Sequence, residues 1–381
     1  MRAAGTAEAL AACTALYTSP DPAQRGAANA WLMQFAATDA AWASAFELLA
    51  SPTTEVKFWA ANMLHAKVQK DWSPSMAEAT QSTVYAKLLE LTLGASSATL
   101  EQLSLLVVER LCLCVATIAT SRSPAAVVEL LQRCLSVGAK RPLVALAVLE
   151  ALPAAVRSSH FTAAEQERLG ASLTAAAASV ARFLEFALSD DAAPLAQRRL
   201  VLRTLTAWAG TESDGGAPAI PLSALADHHE LLRRTLHALA DGASSDVTQL
   251  AADAVCTLVA RAGDADEALL GAIASAVVAM YGACSERPES PAWLALALAV
   301  GALCESHAHI VARGAEPYQS LLHVLLRCTA HAERSVGAAT FEAWLALQDV
   351  PVEERHPALQ RDAWVSVIYV PLRVTRILLT I

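Results

Sequence analysis

An all-α protein built from stacked helical hairpins is the fold this sequence predicts, and three observations carry the prediction. Hydrophobic residues make up 55% of the 381 residues, dominated by alanine and leucine, with only 5% aromatic and 17% charged. Alanine and leucine are strong helix formers, and β-branched alternating runs are scarce before the C-terminus. Dipeptides joining a capping residue to proline punctuate the chain: Ser19-Pro20, Asp21-Pro22, Ser51-Pro52, Ser73-Pro74, Ser123-Pro124 and Ser290-Pro291. Such pairs mark turns and helix starts, because the missing proline N–H is no loss in a first turn. Finally, helix pairs recur at a nearly regular spacing.

The stretch Thr53 to Trp72 sets the pattern. Val56, Trp59, Ala60, Met63 and Leu64 fall at i, i+3, i+4, i+7 and i+8, one stripe of a helix. Thr53 or Thr54 is expected to cap its start. Lys67 and Lys70 sit in the last turn, where cations suit the negative end of the helix dipole. One helix cannot bury such a stripe, so neighbouring helices must cover it.

Periodicity and punctuation give alternating first and second helices: 6–17 and 22–36, 39–50 and 54–69, 74–93 and 97–119, 124–137 and 141–156. The series continues with 162–188 and 192–209, 221–240 and 246–262, 265–283 and 291–312, 317–330 and 333–348. Second helices starting near Ala23, Glu55, Ala98, Pro142, Ala196, Asp246, Pro291 and Glu333 are 32, 43, 44, 54, 50, 45 and 42 residues apart. HEAT-type two-helix units repeat every ~40–47 residues, so about eight hairpins are expected. Val201, Leu205 and Trp208, and again Phe341, Trp344 and Leu345, are expected to fill the space against the next pair. A large globular bundle is the competing fold. Short connections favour the solenoid, with Gly210 to Pro221 the one flexible loop and Gly215-Gly216 its linker. The expected organisation is 1–120 as N-terminal repeats, 121–350 as further repeats and 351–381 as an incomplete or divergent ninth. Arg361 to Ile381 is dense in Val, Ile and Leu without the polar face of a finished solenoid end, as in a truncated repeat, a fragment or an alternative transcript.

Composition excludes some functions. A net charge of −9 argues against direct nucleic-acid binding through phosphates. Mean hydropathy is +0.38. The uncharged run Leu269 to Ser285, 17 residues, is short of the roughly 20 a spanning helix needs, so a buried helix pair is expected rather than membrane insertion. No secretory signal is visible. Eight cysteines in apolar helical contexts without framework spacing read as reduced core residues.

Catalytic constellations fail on inspection. His229, Glu230, Leu231, Leu232 and Arg233 approach a zinc-protease motif but place arginine where the second histidine belongs. The pairs His228-His229 and His307/His309 read as surface or rim histidines. Cys112 and Cys114 diverge around a helix and read as core. No nucleophile elbow or phosphate loop occurs, so no catalytic residue, metal or cofactor is assigned. The cluster Arg198, Arg199, Arg203 is either a solvated face or a contact for an acidic partner.

The sequence resembles the importin-β (karyopherin-β) superfamily and, within it, the transportin-SR and importin-thirteen branch. The residues that carry this are Ala15 to Phe35, Ala41 to Leu49, Glu55 to Trp72, Leu149 to Ser159, Ala251 to Val259, Leu303 to His307 and Val336 to Leu347, in family order along the chain. The family's N-terminal pattern falls on Phe58, Ala60, Ala61, Leu64 and Lys67. The resemblance implies a right-handed superhelix that carries cargo through nuclear pores and shuttles between cytoplasm and nucleus. It further implies a Ran-type small GTPase bound in its GTP form by the first repeats, FG-repeat nucleoporins on outer surfaces, and cargo such as arginine-serine-rich splicing factors. Family members are more than twice as long, and their cargo contacts lie largely beyond the matching repeats. On this basis Asn62, His65 and Lys67, with Lys70 and Asp71 at the helix end, are the candidate GTPase contacts off the packed stripe. The alternative is a HEAT-repeat scaffold or adaptor, or a truncated product that sequesters one partner without carrying cargo.

Overall fold

The computed structural model describes residues 5–73, 76–94, 103–157, 161–189, 193–210, 219–222, 225, 228–241, 244–263, 266–287 and 289–360. The fold is all-α, with no strand among the described residues, and its HEAT-type hairpins stack within two compact units, Met1–Val180 and Ala181–Ile381. The expected ninth repeat from Arg361 onward lies outside the described residues, as do Gly215-Gly216, Pro74 and Ala98.

The first unit contains α1 (Thr6–Thr18), α2 (Pro22–Ala36), α3 (Ala40–Leu49), α4 (Thr54–Asp71), α5 (Glu78–Leu93), α6 (Leu105–Arg122), α7 (Pro124–Gly138) and α8 (Pro142–Val156). Successive helices pair as hairpins, and α6 packs on both α4 and α8. The division between the units falls within the long α9 (Ala163–Ser189). The second unit continues with α10 (Leu195–Ala209), α11 (His229–Asp241), α12 (Ser245–Arg261), α13 (Glu267–Ser285) and α14 (Ala292–Ser306). It ends with α15 (Ala308–Ala312), α16 (Tyr318–Thr329), α17 (Arg334–Ala338), α18 (Phe341–Asp349) and two short 3-10 turns. Here α10, α12, α14 and α18 form one packed row, and α11, α13 and α16 another. By length and composition alone α9 and α13 could cross a membrane. Each lays one face against its neighbours, α13 through Leu270, Ile273, Ala274, Val277 and Met280.

Local chemistry starts the helices much as the dipeptides suggest. Asp21 accepts from Ala23 N at 2.9 Å and Ser123 from Ala126 N at 3.1 Å, with Pro22 and Pro124 in the first turns. Several boundaries differ from expectation. α6 begins at Leu105 rather than near 97, where the apolar repeat Val107, Val108, Leu111 takes hold. α5 begins at Glu78 and α11 at His229. The observed second helices start at Pro22, Thr54, Leu105, Pro142, Leu195, Ser245, Ala292 and Arg334, spacings of 32, 51, 37, 53, 50, 47 and 42 residues. Two long second helices are also broken, at His307 and before Phe341. At the second break the chain passes so close to α14 that a Cβ at Gly301 would lie 3.0 Å from the Ala339 oxygen, which only glycine avoids.

Helix ends are tied one repeat to the next by side-chain donors. The last carbonyls of a helix lack intrahelical partners and carry partial negative charge. Lys67 Nζ donates to Ala36 O and Thr38 O just past the end of α2, at 3.2 and 3.1 Å. Arg141 reaches Gly94 O behind α5, Arg234 reaches Leu188 O in α9, and Arg261 reaches Ala209 O at the end of α10. His307 Nε2 sits 3.0 Å from Val259 O in α12. It is therefore buried, 4% exposed, and not the rim residue its polarity suggested. The end of α18 is served locally, by Arg355 donating to Val350 O and Gln348 O.

The cores are close-packed aliphatic layers. Trp208 is fully buried, as its late position in α10 predicts. Phe341 and Leu345 depart from that expectation: Trp344 is 6% exposed and donates to Thr329 Oγ1, while Phe341 and Leu345 are 37% and 54% exposed. Helical geometry explains the split, since Trp344 shares its inward side with Ala343 and Leu347 and the other two point elsewhere. Cys112, Cys114, Cys134, Cys304 and Cys328 are core residues, and burial pushes the Cys114 thiol up to about 12. Arg199 finds its acidic partner within the chain, an ion pair with Asp246 of the next second helix.

Candidate functional site

Helix α4 is covered on two sides, by α1 and α3 and by α6. Its buried positions are Val56, Lys57, Ala60, Ala61, Met63, Leu64, Lys67 and Val68, a stripe wider than the apolar pattern alone marks out. Ala60, Ala61 and Leu64 of the family-like pattern are fully buried, where small residues allow close helix approach, and Phe58 is half-buried. Thr53 occupies the capping position without a side-chain bond to the helix, contrary to expectation. Ser51 takes the local role instead, accepting from Thr53 N at 3.2 Å.

The five candidate contact residues divide. Lys67 does not lie off the packed stripe: it is 3% exposed. Its ammonium is spent on Ala36 O, Thr38 O and the Asp71 carboxylate at 2.7 Å, and lies 5.1 Å from the Trp42 ring centroid. Trp42 in turn meets Trp72 edge to face, with centroids 6.4 Å apart. Lys67, Asp71 and the two tryptophans thus form the buttress that fixes the end of α4. Asn62 and His65 are half-buried and Lys70 is exposed. Phe58, Asn62, His65 and Gln69 share one stripe at i, i+4, i+7 and i+11, with Lys70 beside it.

His65 Nε2 is shielded from solvent and has no hydrogen-bond partner among the described residues. Burial lowers its basicity, and the nearby Arg110 guanidinium lowers it further. Arg110 and the exposed Leu106 extend the α4 stripe onto α6. Sequence reading passed over Gln69, Arg110 and Leu106. Arg110 follows His65 by 45 residues, about one repeat, and that offset is the signal that marks it. A separate groove of about 500 Å³ lies between α5 and α7, lined by Tyr85, Leu89, Leu93, Arg122 and Glu129. Arg122 stands over the Tyr85 ring at 5.1 Å. Nothing here resembles an acid–base or nucleophilic constellation. The arrangement is a surface of mixed apolar, amide and cationic character on a helical-repeat scaffold.

No family model matches the chain. It is similar to importin-13 of Homo sapiens, 25% identical over 356 residues that cover 88% of this chain and 35% of that relative. Importin-13 of Rattus norvegicus and of Mus musculus are each 24% identical over 364 residues, with the same coverage. These similarities support membership of the importin-β family. The chain spans about 35% of the length of the curated relatives it matches.

Proposed function

We propose that this chain acts as the N-terminal part of a nuclear transport receptor, binding proteins and catalysing no reaction. The observation that carries the reading is similarity to importin-13 along 88% of the chain, on a scaffold of stacked helical hairpins. In this reading a Ran-type GTPase in its GTP form is held by the N-terminal repeats, within 1–120. Asn62, His65 and Lys70 supply the contact stripe, with Gln69 and Arg110 beside them. Asp71 and the buried Lys67 hold the end of the helix in place from below. FG-repeat nucleoporins take the groove between α5 and α7, where Leu89 and Leu93 offer an apolar wall beside Arg122 and Glu129. Protein cargo, including arginine-serine-rich splicing factors, and shuttling between cytoplasm and nucleus complete the reading. The net charge of −9 supports basic partners through long-range attraction.

The test is binding of the chain to Ran loaded with GTP or GDP, repeated with Asn62→Ala and Lys70→Glu. The expected result is GTP-selective binding that both variants weaken. Binding indifferent to the nucleotide favours a scaffold or adaptor, and absence of binding overturns the GTPase reading.

A further inference from the structure

The second unit contains a cavity that neither the hairpin cores nor the GTPase reading uses. Its volume is about 290 Å³, and α10, α11, α12 and α13 all contribute to its lining. Protein interiors hold few voids larger than a water molecule, so a space of this size is a feature of the fold. Its origin lies in two short side chains. Helix α13, which packs beside α11, presents Ala268 and Ala272 to the cavity at i and i+4, and alanine is too short to fill the space between the two helices. Leu205 of α10 and Leu258 of α12, 1% and 2% exposed, form the floor. Leu232 of α11 and Leu269 of α13 form the walls, and Leu222 and Leu225 close the space from the segment ahead of α11. Ala268 and Ala272 are exposed, which places the mouth on the α13 side.

Two polar side chains line the cavity, His229 and Asp266. His229 belongs to the incomplete zinc-protease pattern, and here it is a rim group whose imidazole can accept an N–H. Asp266 stands just ahead of α13, and its Oδ2 accepts from Gly263 N at 2.9 Å, which holds the carboxylate in place. Its Oδ1 takes no bond among the described residues. Glu267, exposed beside it, adds charge of the same sign. The arginines of the surrounding helices are committed elsewhere. Arg233 and Arg234 bond Glu230, Arg261 donates to Ala209 O, and α13 has no lysine or arginine. A carboxylate at the edge of an apolar cavity attracts a cation and repels an anion. The leucines meanwhile ask for an apolar body. An apolar cavity of ~150 Å³ holds benzene, so by proportion this one takes a body of about ten to twelve non-hydrogen atoms.

We infer that this cavity binds a small cationic amphiphile, its primary ammonium at Asp266 and its aromatic or alkyl body among the leucines. The site lies in a different unit from the GTPase stripe and takes a different kind of ligand. Failure of one test therefore leaves the other standing.

Three probes with one body and different heads test it: 4-phenylbutylamine, 4-phenylbutanol and 4-phenylbutyrate. Each is titrated against the full chain at pH 8, where a primary amine is protonated, by saturation-transfer NMR and calorimetry. The amine is expected to bind about ten-fold more tightly than the alcohol, with the carboxylate weakest. Ala272→Trp, at the exposed mouth, fills the cavity and weakens the amine by about ten-fold or more at unchanged Tm. Ala279→Trp, two turns further along the same face of α13 and outside the lining, leaves binding intact. Asp266→Asn keeps an acceptor for Gly263 N while removing the charge, and brings the amine down to the level of the alcohol. Absence of amine binding to the wild-type chain overturns the proposal, as does binding that Ala272→Trp leaves unchanged. Carboxylate binding as tight as that of the amine overturns the cationic class.

Discussion

Arg261 Nη1 lies 2.8 Å from the carbonyl oxygen of Ala209, a residue 52 positions earlier at the end of the preceding second helix. The same relation joins Lys67 to Ala36, Arg141 to Gly94, Arg234 to Leu188 and His307 to Val259. In each case a donor from a later hairpin meets the negative end of an earlier helix. Hydrophobic layers hold neighbouring hairpins together through attraction that has no direction of its own. Directed bonds of this kind fix their register.

Replacing Arg261 by Met keeps the side-chain stem and removes the donor. A hydrogen bond to a charged group contributes about 1.5–3 kcal/mol, so thermal unfolding of Arg261→Met is expected at a Tm a few degrees lower. Arg261→Lys, which keeps a cation with less reach, falls between. Equal Tm values for all three proteins would show that the bond contributes no register energy.

Lys67→Met tests the buttress of α4. It strands two carbonyls and the Asp71 carboxylate, which is 34% exposed and so partly rescued by water. A loss of about 1–3 kcal/mol is expected in urea unfolding, against less than about 0.5 for Lys70→Met at an exposed site. If Lys70→Met is the more destabilising, the assignment of roles along this helix is wrong.

His65 gives the first unit an acid sensitivity. Burial, with the Arg110 charge as a second cause, makes the native imidazole harder to protonate than in the unfolded chain, where its ordinary value is 6.5. Below about that pH the unfolded state binds the extra proton first, so native stability falls as pH drops. His65→Gln should narrow the Tm difference between pH 7.5 and pH 5. A pH-independent offset between variant and wild type rules the imidazole out as the cause.

The buried thiols set the opposite limit. Burial raises Cys13 and Cys114 to about 12, and Cys284 to about 11, from an ordinary 9.0. The native thiols stay protonated while unfolded ones ionise, so stability is full below pH 9 and declines as pH rises toward 11. At pH 8 a thiol reagent should label the folded chain slowly and all eight cysteines promptly in denaturant. Rapid labelling of several cysteines in the native chain would contradict this packing.

The hairpin architecture was legible because helix period, cap-proline pairs and repeat spacing all report on the same local geometry. The start of α6 and the breaks at His307 and before Phe341 were not, because backbone crowding between hairpins sets the last of these and no local signal encodes it. Lys67 shows the same limit at the candidate site. Its position in a last turn marks it as a solvated cation, and only the arrival of Ala36, Thr38 and Trp42 from earlier hairpins turns it into a buried one. Phe341 failed in the opposite direction, since an aromatic in a helical stripe predicts burial whether or not a neighbour is there to cover it.

The tie between Arg261 and Ala209 also has a direction in time. A ribosome adds about 5–20 residues per second, so the end of α10 emerges roughly 3–10 s before the arginine that will hold it. Until then that helix terminus faces water. Because each donor lies downstream of its acceptor, each of these five helix ends is completed by a hairpin translated after it.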